Sequence, residues 1–362
     1  MKENLGFGIL GAGLISPFHA KAIRGSQGGK LVGFCARSPG RLNKIATEFG
    51  VKGYVTLHEM LQDPEIDVVS IATPNHLHHE AVLACAAAGK HILVEKPPSI
   101  SLRETDEMIE ACRRAGVKFG CMVQCRVRKA IQAMKQAIDN RRFGTILQAA
   151  AYMKWFRSED YYKMDAWRSS RQAGAGVTVQ QAFHYIDLLQ YLMGPARSVH
   201  ARMSNLAHPS VDIEDTTIAF VDFANGAHGV VQASTAFWPG TDVRIEINGT
   251  HGTAIMCGEK MTTWKFRDEQ PQDEEIRQYG STSQATGATG GADFGHADHQ
   301  VVIQDMVDAI AGDREVVIPV SSVRPTLEIV LAMYESAEKN RAVALPLEGD
   351  PQIWNGKGSL PK

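Results

Sequence analysis

The chain has 362 residues, long for one ordinary core and suited to two domains. Its composition is globular, 44% hydrophobic and 22% charged, and a formal net charge of −2 leaves no basic footprint for nucleic acid or an anionic membrane. No apolar run reaches bilayer length, no secretory pattern opens the chain, and the six cysteines fall mostly inside apolar segments, so a soluble cytoplasmic protein without a disulfide framework is expected.

The first third alternates short apolar runs with helical periodicity. Strands are predicted over 7–10, 31–36, 68–72, 91–95 and 117–121, with helices over 41–49, 78–88 and 102–115 between them. Near-continuous apolar strands separated by helices imply a parallel sheet covered on both faces. After residue 124 the pattern changes. A helix over 129–140 precedes a strand over 146–155 and a helix over 182–193. Alternating strands follow over 198–205, 216–223, 229–236, 243–247 and 253–257, with Asn225-Gly226 and Asn248-Gly249 as hairpin signals. Residues 279–295, rich in Gly, Ser, Ala and Thr, suit either a flap near the substrate or a plain surface loop. Helices over 299–311 and 323–340 close the chain.

The expected fold class is therefore α/β. An N-terminal Rossmann-type doubly wound parallel sheet (1–124) precedes an α+β domain with a large, mainly antiparallel open sheet (125–345) and a tail (346–362). A sheet face left free by helices usually pairs with another subunit, so a homodimer or homotetramer through that sheet is expected.

Gly11-Ala12-Gly13-Leu14-Ile15-Ser16 follows the first strand and opens a helix. Gly11 permits the tight turn and Gly13 lets the backbone approach a pyrophosphate at the helix N-terminus. The third position of this fingerprint is Ser16, neither Gly nor Ala. The second strand ends at Ala36-Arg37-Ser38, without the acidic residue that holds ribose hydroxyls in NAD-binding units. Arg37 and Ser38 suit a 2′-phosphate, which favours NADP(H) over NAD(H); alternatively Arg37 stacks on adenine or faces water.

With these residues in view, the chain resembles the glucose–fructose oxidoreductase / inositol 2-dehydrogenase / rhizopine-catabolism (Gfo/Idh/MocA) family over nearly its whole length. The resemblance rests on the glycine turn, on Ala72-Thr73-Pro74-Asn75 with His78, and on Gly89-Lys90-His91 leading into Glu95-Lys96-Pro97. Trp167-Arg168, Gly174-Ala175-Gly176 ahead of His184-Tyr185-Ile186-Asp187, and Phe294-Gly295-His296 extend it. It implies a nicotinamide cofactor and a carbohydrate substrate: a sugar, a polyol or a keto-sugar derivative. The implied cofactor contacts are Gly11, Gly13, Leu14, Ile15, Ala36, Arg37, Ser38, Thr73, Pro74, Asn75, His78, Glu95, Lys96, Trp167 and Arg168. It also implies a cis bond before Pro97.

Hydride transfer needs a C–H bond held over the nicotinamide, a group that moves the hydroxyl proton and a cation near the reacting oxygen. The resemblance gives Lys96 the last role and contact with the cofactor, and makes His184 the proton-moving residue. Asp187, three residues on, shares a helix face with His184 and is expected to orient its ring or to meet substrate. Many relatives carry Asp four residues before this histidine. Here Gln180 stands there and is expected to position substrate, with Arg168, Tyr162 and Arg126 as further substrate contacts. The groups His76, His78, His79 and His296, His299 read as solvated loop or helix-terminus histidines, and no metal is expected. Two alternatives share the fold: a redox-neutral sugar-converting enzyme with tightly held cofactor, and a nucleotide-binding sensor without catalysis.

Overall fold

The computed structural model describes residues 4–280 and 295–351. The first sheet has six strands, β1 (Leu5–Leu10), β2 (Gly29–Cys35), β3 (Lys52–Tyr54), β4 (Val68–Ile71), β5 (His91–Glu95) and β6 (Phe119–Met122), in the order β3-β2-β1-β4-β5-β6. Every pairing is parallel. Phe7, Ile9, Val68, Val69, Ile92 and Val94 are fully buried, which is why these strands read as unbroken apolar runs. The strand order reverses between β1 and β4, the place where open α/β sheets bind ligands. The intervening helices start and stop where the sequence signals it. Leu102–Ala115 begins after Ser101, whose hydroxyl accepts from the Glu104 N–H at 3.1 Å, and ends at the left-handed Gly116.

The second sheet has eight strands: β7 (Ile146–Lys154), β8 (Ala196–Ser204), β9 (Thr216–Phe223), β10 (His228–Ser234), β11 (Arg244–Gly249), β12 (Gly252–Cys257), β13 (Lys260–Phe266) and β14 (Val343–Ala344). Their order is β13-β12-β11-β7-β10-β9-β8-β14, antiparallel except for β7 with β10. In β9, Thr217, Ala219, Val221 and Phe223 are buried while Ile218, Phe220 and Asp222 are exposed, the alternation of a sheet covered on one face.

Strands β3, β13 and β14 escape the sequence reading: β3 and β14 have three and two residues, and β13 carries polar residues among its apolar ones. Asn225-Gly226 turns the β9–β10 hairpin as expected, with Gly226 at φ +88°. Asn248-Gly249 does not. Both residues lie inside β11, and Thr250-His251 make the turn before β12. Gly249 is required there by close approach, since a Cβ would lie 2.2 Å from the Phe143 carbonyl oxygen.

Two compact units emerge, Met1–Gln124 with Gly295–Arg324, and Cys125–Phe294 with Pro325–Lys362. The stretch 295–324 thus packs with the first unit, where the sequence pattern assigned it to the second. Its helix Ala297–Ala311 lies along Ser16–Gly25, the Gln300 Nε2–H donating to the Gly25 carbonyl at 2.6 Å. The Ile318 carbonyl then accepts from the Cys121 N–H on the edge of β6 at 3.0 Å. Among the described residues no helix is long and apolar enough to cross a membrane, and all six cysteines are free thiols. The Gly/Ser/Thr-rich segment falls outside the described residues apart from its ends, as does the tail beyond residue 351.

Candidate active site

In the first unit the glycine turn leaves β1 with Gly11 at φ +128°, where a Cβ would sit 2.4 Å from the Ala72 carbonyl oxygen. No L side chain fits that position. A Cβ on Gly13, by contrast, would meet nothing within 4 Å, so protein packing does not require this glycine. The space it leaves suits close approach of a dinucleotide backbone. Ser16 is fully buried, and its Oγ accepts from the Gly13 N–H at 3.1 Å. The departure from the fingerprint therefore closes the turn with a hydrogen bond where a glycine would give only close packing. Leu14 and Ile15 are partly exposed, as is Ala36, while Arg37 and Ser38 face solvent just beyond β2.

At the other end of the switch point, β5 delivers Glu95 and then Lys96, joined to Pro97 by a cis bond as the resemblance implied. Glu95 is buried. One carboxylate oxygen lies 2.9 Å from His19 Nε2 and the other accepts from the Lys96 N–H at 3.1 Å. Burial raises the Glu95 carboxyl, but the bond to His19 and the charges of His19, Lys96 and His299 outweigh it and bring it down to about 2. Glu95 thus shapes the strand end that carries Lys96. His19, Glu95 and His299 bring ligand atoms within 4.8 Å of one another. Within that set His19 is already engaged on both ring nitrogens, Nδ1 lying 2.7 Å from Ser70 Oγ.

Two histidines expected to be solvated are not. His299 is buried against the His19 ring, with centroids 5.4 Å apart. His78 is fully buried, its ring nitrogens 2.9 and 3.0 Å from the carbonyl oxygens of Pro97 and Thr73. Burial pushes its pKa down, against the pull of those carbonyls. It braces the loop Thr73-Pro74-Asn75 to the turn after Lys96.

In the second unit, His184 and Asp187 lie on the helix Phe183–Met193. His184 is partly buried and Gln180 buried, the latter on a π-helical turn, Val177–Gln181, directly before that helix. Asp187 does not orient His184. Its carboxylate takes two bonds from Arg126, Nε at 2.7 Å and Nη2 at 2.6 Å, and a third from Thr326 Oγ1 at 2.8 Å. That buried pair spends both Asp187 and much of Arg126 on holding the helix, which argues against either as a primary substrate contact. Tyr162 also packs inward, against Ala175 and Ile213, its hydroxyl 2.8 Å from Thr235 Oγ1. Its neighbour Tyr161 is partly exposed and accepts from Arg168 Nη1 and from Gln181 Nε2, both at 3.0 Å. The buried Arg168 guanidinium lies over the Tyr161 and Trp167 rings, at 4.9 and 5.0 Å.

Sequence reading missed the π turn and the residue that holds it, Glu214. The available signal was Gly176 followed 38 residues later by the paired acids Glu214-Asp215 at the start of a strand. It also missed Arg157, buried beside Trp155 and Tyr161.

A nucleotide-binding parallel sheet with a lysine at the end of β5, in a chain whose second unit bears a partly buried histidine, fits a nicotinamide-dependent oxidoreductase. The profile of an oxidoreductase family with an NAD-binding Rossmann fold matches residues 5–124, and that of its C-terminal domain matches 131–255. The chain is 30% identical over 269 residues to myo-inositol 2-dehydrogenase of Thermotoga maritima, covering 73% of this chain and 78% of that one. It is 32% identical over 254 residues to 1,5-anhydro-D-fructose reductase of Ensifer adhaerens, covering 69% and 74%. The WlbA dehydrogenase of Bordetella pertussis, solved with NADH and UDP-GlcNAcA, superposes with a TM-score of 0.87 at 29% identity, over 96% of this chain and 99% of that one. The chain belongs to the Gfo/Idh/MocA oxidoreductase family.

Proposed function

We propose that this enzyme transfers a hydride between NADP(H) and a CH–OH group of a sugar, polyol or keto-sugar derivative. The observation that carries the reading is Lys96, set at the end of β5 by the buried Glu95 in the unit that also bears the glycine turn. When bound, the nicotinamide supplies or takes up the hydride. The chain supplies the rest. The Lys96 ammonium donates to the reacting oxygen and stabilises the charge developing there. The His184 imidazole takes the hydroxyl proton in oxidation and returns it in reduction. Gln180 hydrogen-bonds a substrate hydroxyl without accepting its proton, and Arg168 with Trp167 borders the ring and the cofactor.

Preference for NADP(H) rests on Ala36-Arg37-Ser38, an exposed cation and hydroxyl where a carboxylate would repel a 2′-phosphate. The relatives solved with NADH make this the sharper test. Fluorescence titration is expected to give tighter binding of NADPH than of NADH, with Arg37→Ala removing the difference; NADH preference in the wild type overturns the cofactor reading. A substrate panel of myo-inositol, 1,5-anhydro-D-fructose, levoglucosan and UDP-GlcNAcA follows from the relatives' names. Lys96→Ala and His184→Ala are each expected to lower kcat by about 100-fold or more; unchanged turnover in both sinks the mechanism.

The free thiols fit a reducing cytoplasm. Ile218 and Phe220, 47% and 61% exposed on β9, fit a homodimer or homotetramer formed through this sheet face. Light scattering of Phe220→Lys, expected to give a smaller assembly than the wild type, checks it.

A further inference from the structure

The turn before His184 is built around one buried carboxyl group from elsewhere in the chain. Glu214 is 2% exposed, and one of its carboxyl oxygens accepts from the Thr178 N–H at 2.9 Å and from the Tyr334 hydroxyl at 2.6 Å. Its backbone carbonyl accepts from the Val177 N–H at 3.1 Å. Both contacts satisfy amides that begin a helix and lack partners within it. The carboxyl group also lies on Gly176, at φ +141°, where a Cβ would sit 2.4 Å from both of its oxygens. Thr178 is further held by Thr217, with hydroxyl oxygens 2.7 Å apart.

The turn that results is π-helical, the Ala182 N–H donating to the Val177 carbonyl five residues back at 2.8 Å. A π turn holds one residue more than an α turn, and such turns recur at functional sites. Collapse to α geometry would shift the register by one residue, about 100° around the axis. Gln180 lies within the turn and His184 just past it, so their relative direction depends on this extra residue. Downstream, the helix is pinned by Arg126, Asp187 and Thr326.

We propose that Glu214 is a positioning residue: by capping Val177 and Thr178 it selects the π turn and thereby sets the angle between Gln180 and His184. The proposal rests on the reading of His184 as the proton-moving group. Burial pushes the Glu214 carboxyl up, against the bonds from Tyr334 and Thr178. Both bonds are donated to a single oxygen, which the amide of the isosteric Glu214→Gln retains, so that variant should serve nearly as well.

Four variants tested on the same substrate panel separate the possibilities. Glu214→Ala is expected to lower kcat about 100-fold while NADPH affinity stays at the wild-type value. Glu214→Gln is expected to stay within about threefold of wild type, and Tyr334→Phe, which removes one of the two bonds, to fall about fivefold. Folded Glu214→Ala with wild-type kcat overturns the proposal, as does Glu214→Gln as impaired as Glu214→Ala. If Glu214→Ala does not fold, Tyr334→Phe decides: a lower melting temperature with unchanged kcat assigns Glu214 to stability alone. A fully active His184→Ala control would instead refute the mechanism beneath it. A crystal structure of Tyr334→Phe or Glu214→Ala is independent of substrate. Loss of the Val177–Ala182 bond with a rotated His184 is expected for Glu214→Ala, and an unchanged turn contradicts the idea.

Discussion

Both units present candidate site residues from the start of a helix, and they hold those starts by different means. After β1 the turn is closed by its own residues, Gly13 donating to Ser16 three positions on, with Gly11 fitted against the end of the neighbouring strand. Before His184 the turn is held by Glu214, 36 residues from the Thr178 amide it caps, and by Tyr334, 120 residues beyond Glu214. The first arrangement is a local motif that any nucleotide-binding unit can carry. The second is a tertiary device, and it can change in one relative without altering the local sequence of the turn. A family with one cofactor chemistry and many substrates has use for that division.

Substitutions can break the comparison from either side. Arg126→Ala leaves Asp187 buried without its cation and is expected to destabilise the second unit by about 3–5 kcal/mol, read by urea unfolding. Gly11→Ala forces a side chain into a left-handed position against the Ala72 carbonyl and should cost about 1–3 kcal/mol, with weaker NADPH binding in fluorescence titration. Ser16→Ala removes only the bond from Gly13 and is expected to cost about 1 kcal/mol. If Ser16→Ala proves as damaging as Gly11→Ala, the turn depends on its hydrogen bond more than on its glycine.

A gentler test uses pH, because each unit buries one carboxylate beside a histidine. Burial raises both groups, but histidine and amide bonds prevail, and Glu95 and Asp215 are each brought down to about 2. Their folded values lie below the unfolded ones, so their stabilisation is complete above about pH 4 and is lost as pH falls towards 2. Glu95→Gln and Asp215→Asn should each flatten part of that acid limb in urea midpoints. His208, lowered by burial but raised more by its bond to Asp215, has the opposite sign: its contribution is present below about pH 6.5 and fades as pH rises through its folded value. His208→Gln should remove this smaller upper limb.

The legibility of the sequence follows the same local and distant division. Apolar runs and glycine signals located all the longer strands of the first sheet and the glycine turn, whereas the role of Lys96 came from the family resemblance. Asn248-Gly249 misled because glycine serves close approach as well as turns, and the backbone of Phe143 was not visible from the strand itself. Asp187 was paired with the wrong partner for a similar reason. Its spacing from His184 was plain, whereas Arg126 lies 61 residues away in sequence. Tyr162 and Tyr161 are adjacent and alike in type, yet only packing separates a core ring from a partly exposed one. What the sequence could not convey was which polar groups are already spent.

The return of residues 295–324 to the first unit also bears on how the protein is made. Until Ile318 and the helix Ala297–Ala311 leave the ribosome, the β6 edge lacks the carbonyl that Cys121 will bond, and Ser16–Gly25 lacks its neighbour. The β6 edge is therefore completed only after strands β7 to β13 of the second sheet have been synthesised. In the interval its open edge is a strand of the kind that other chains can join.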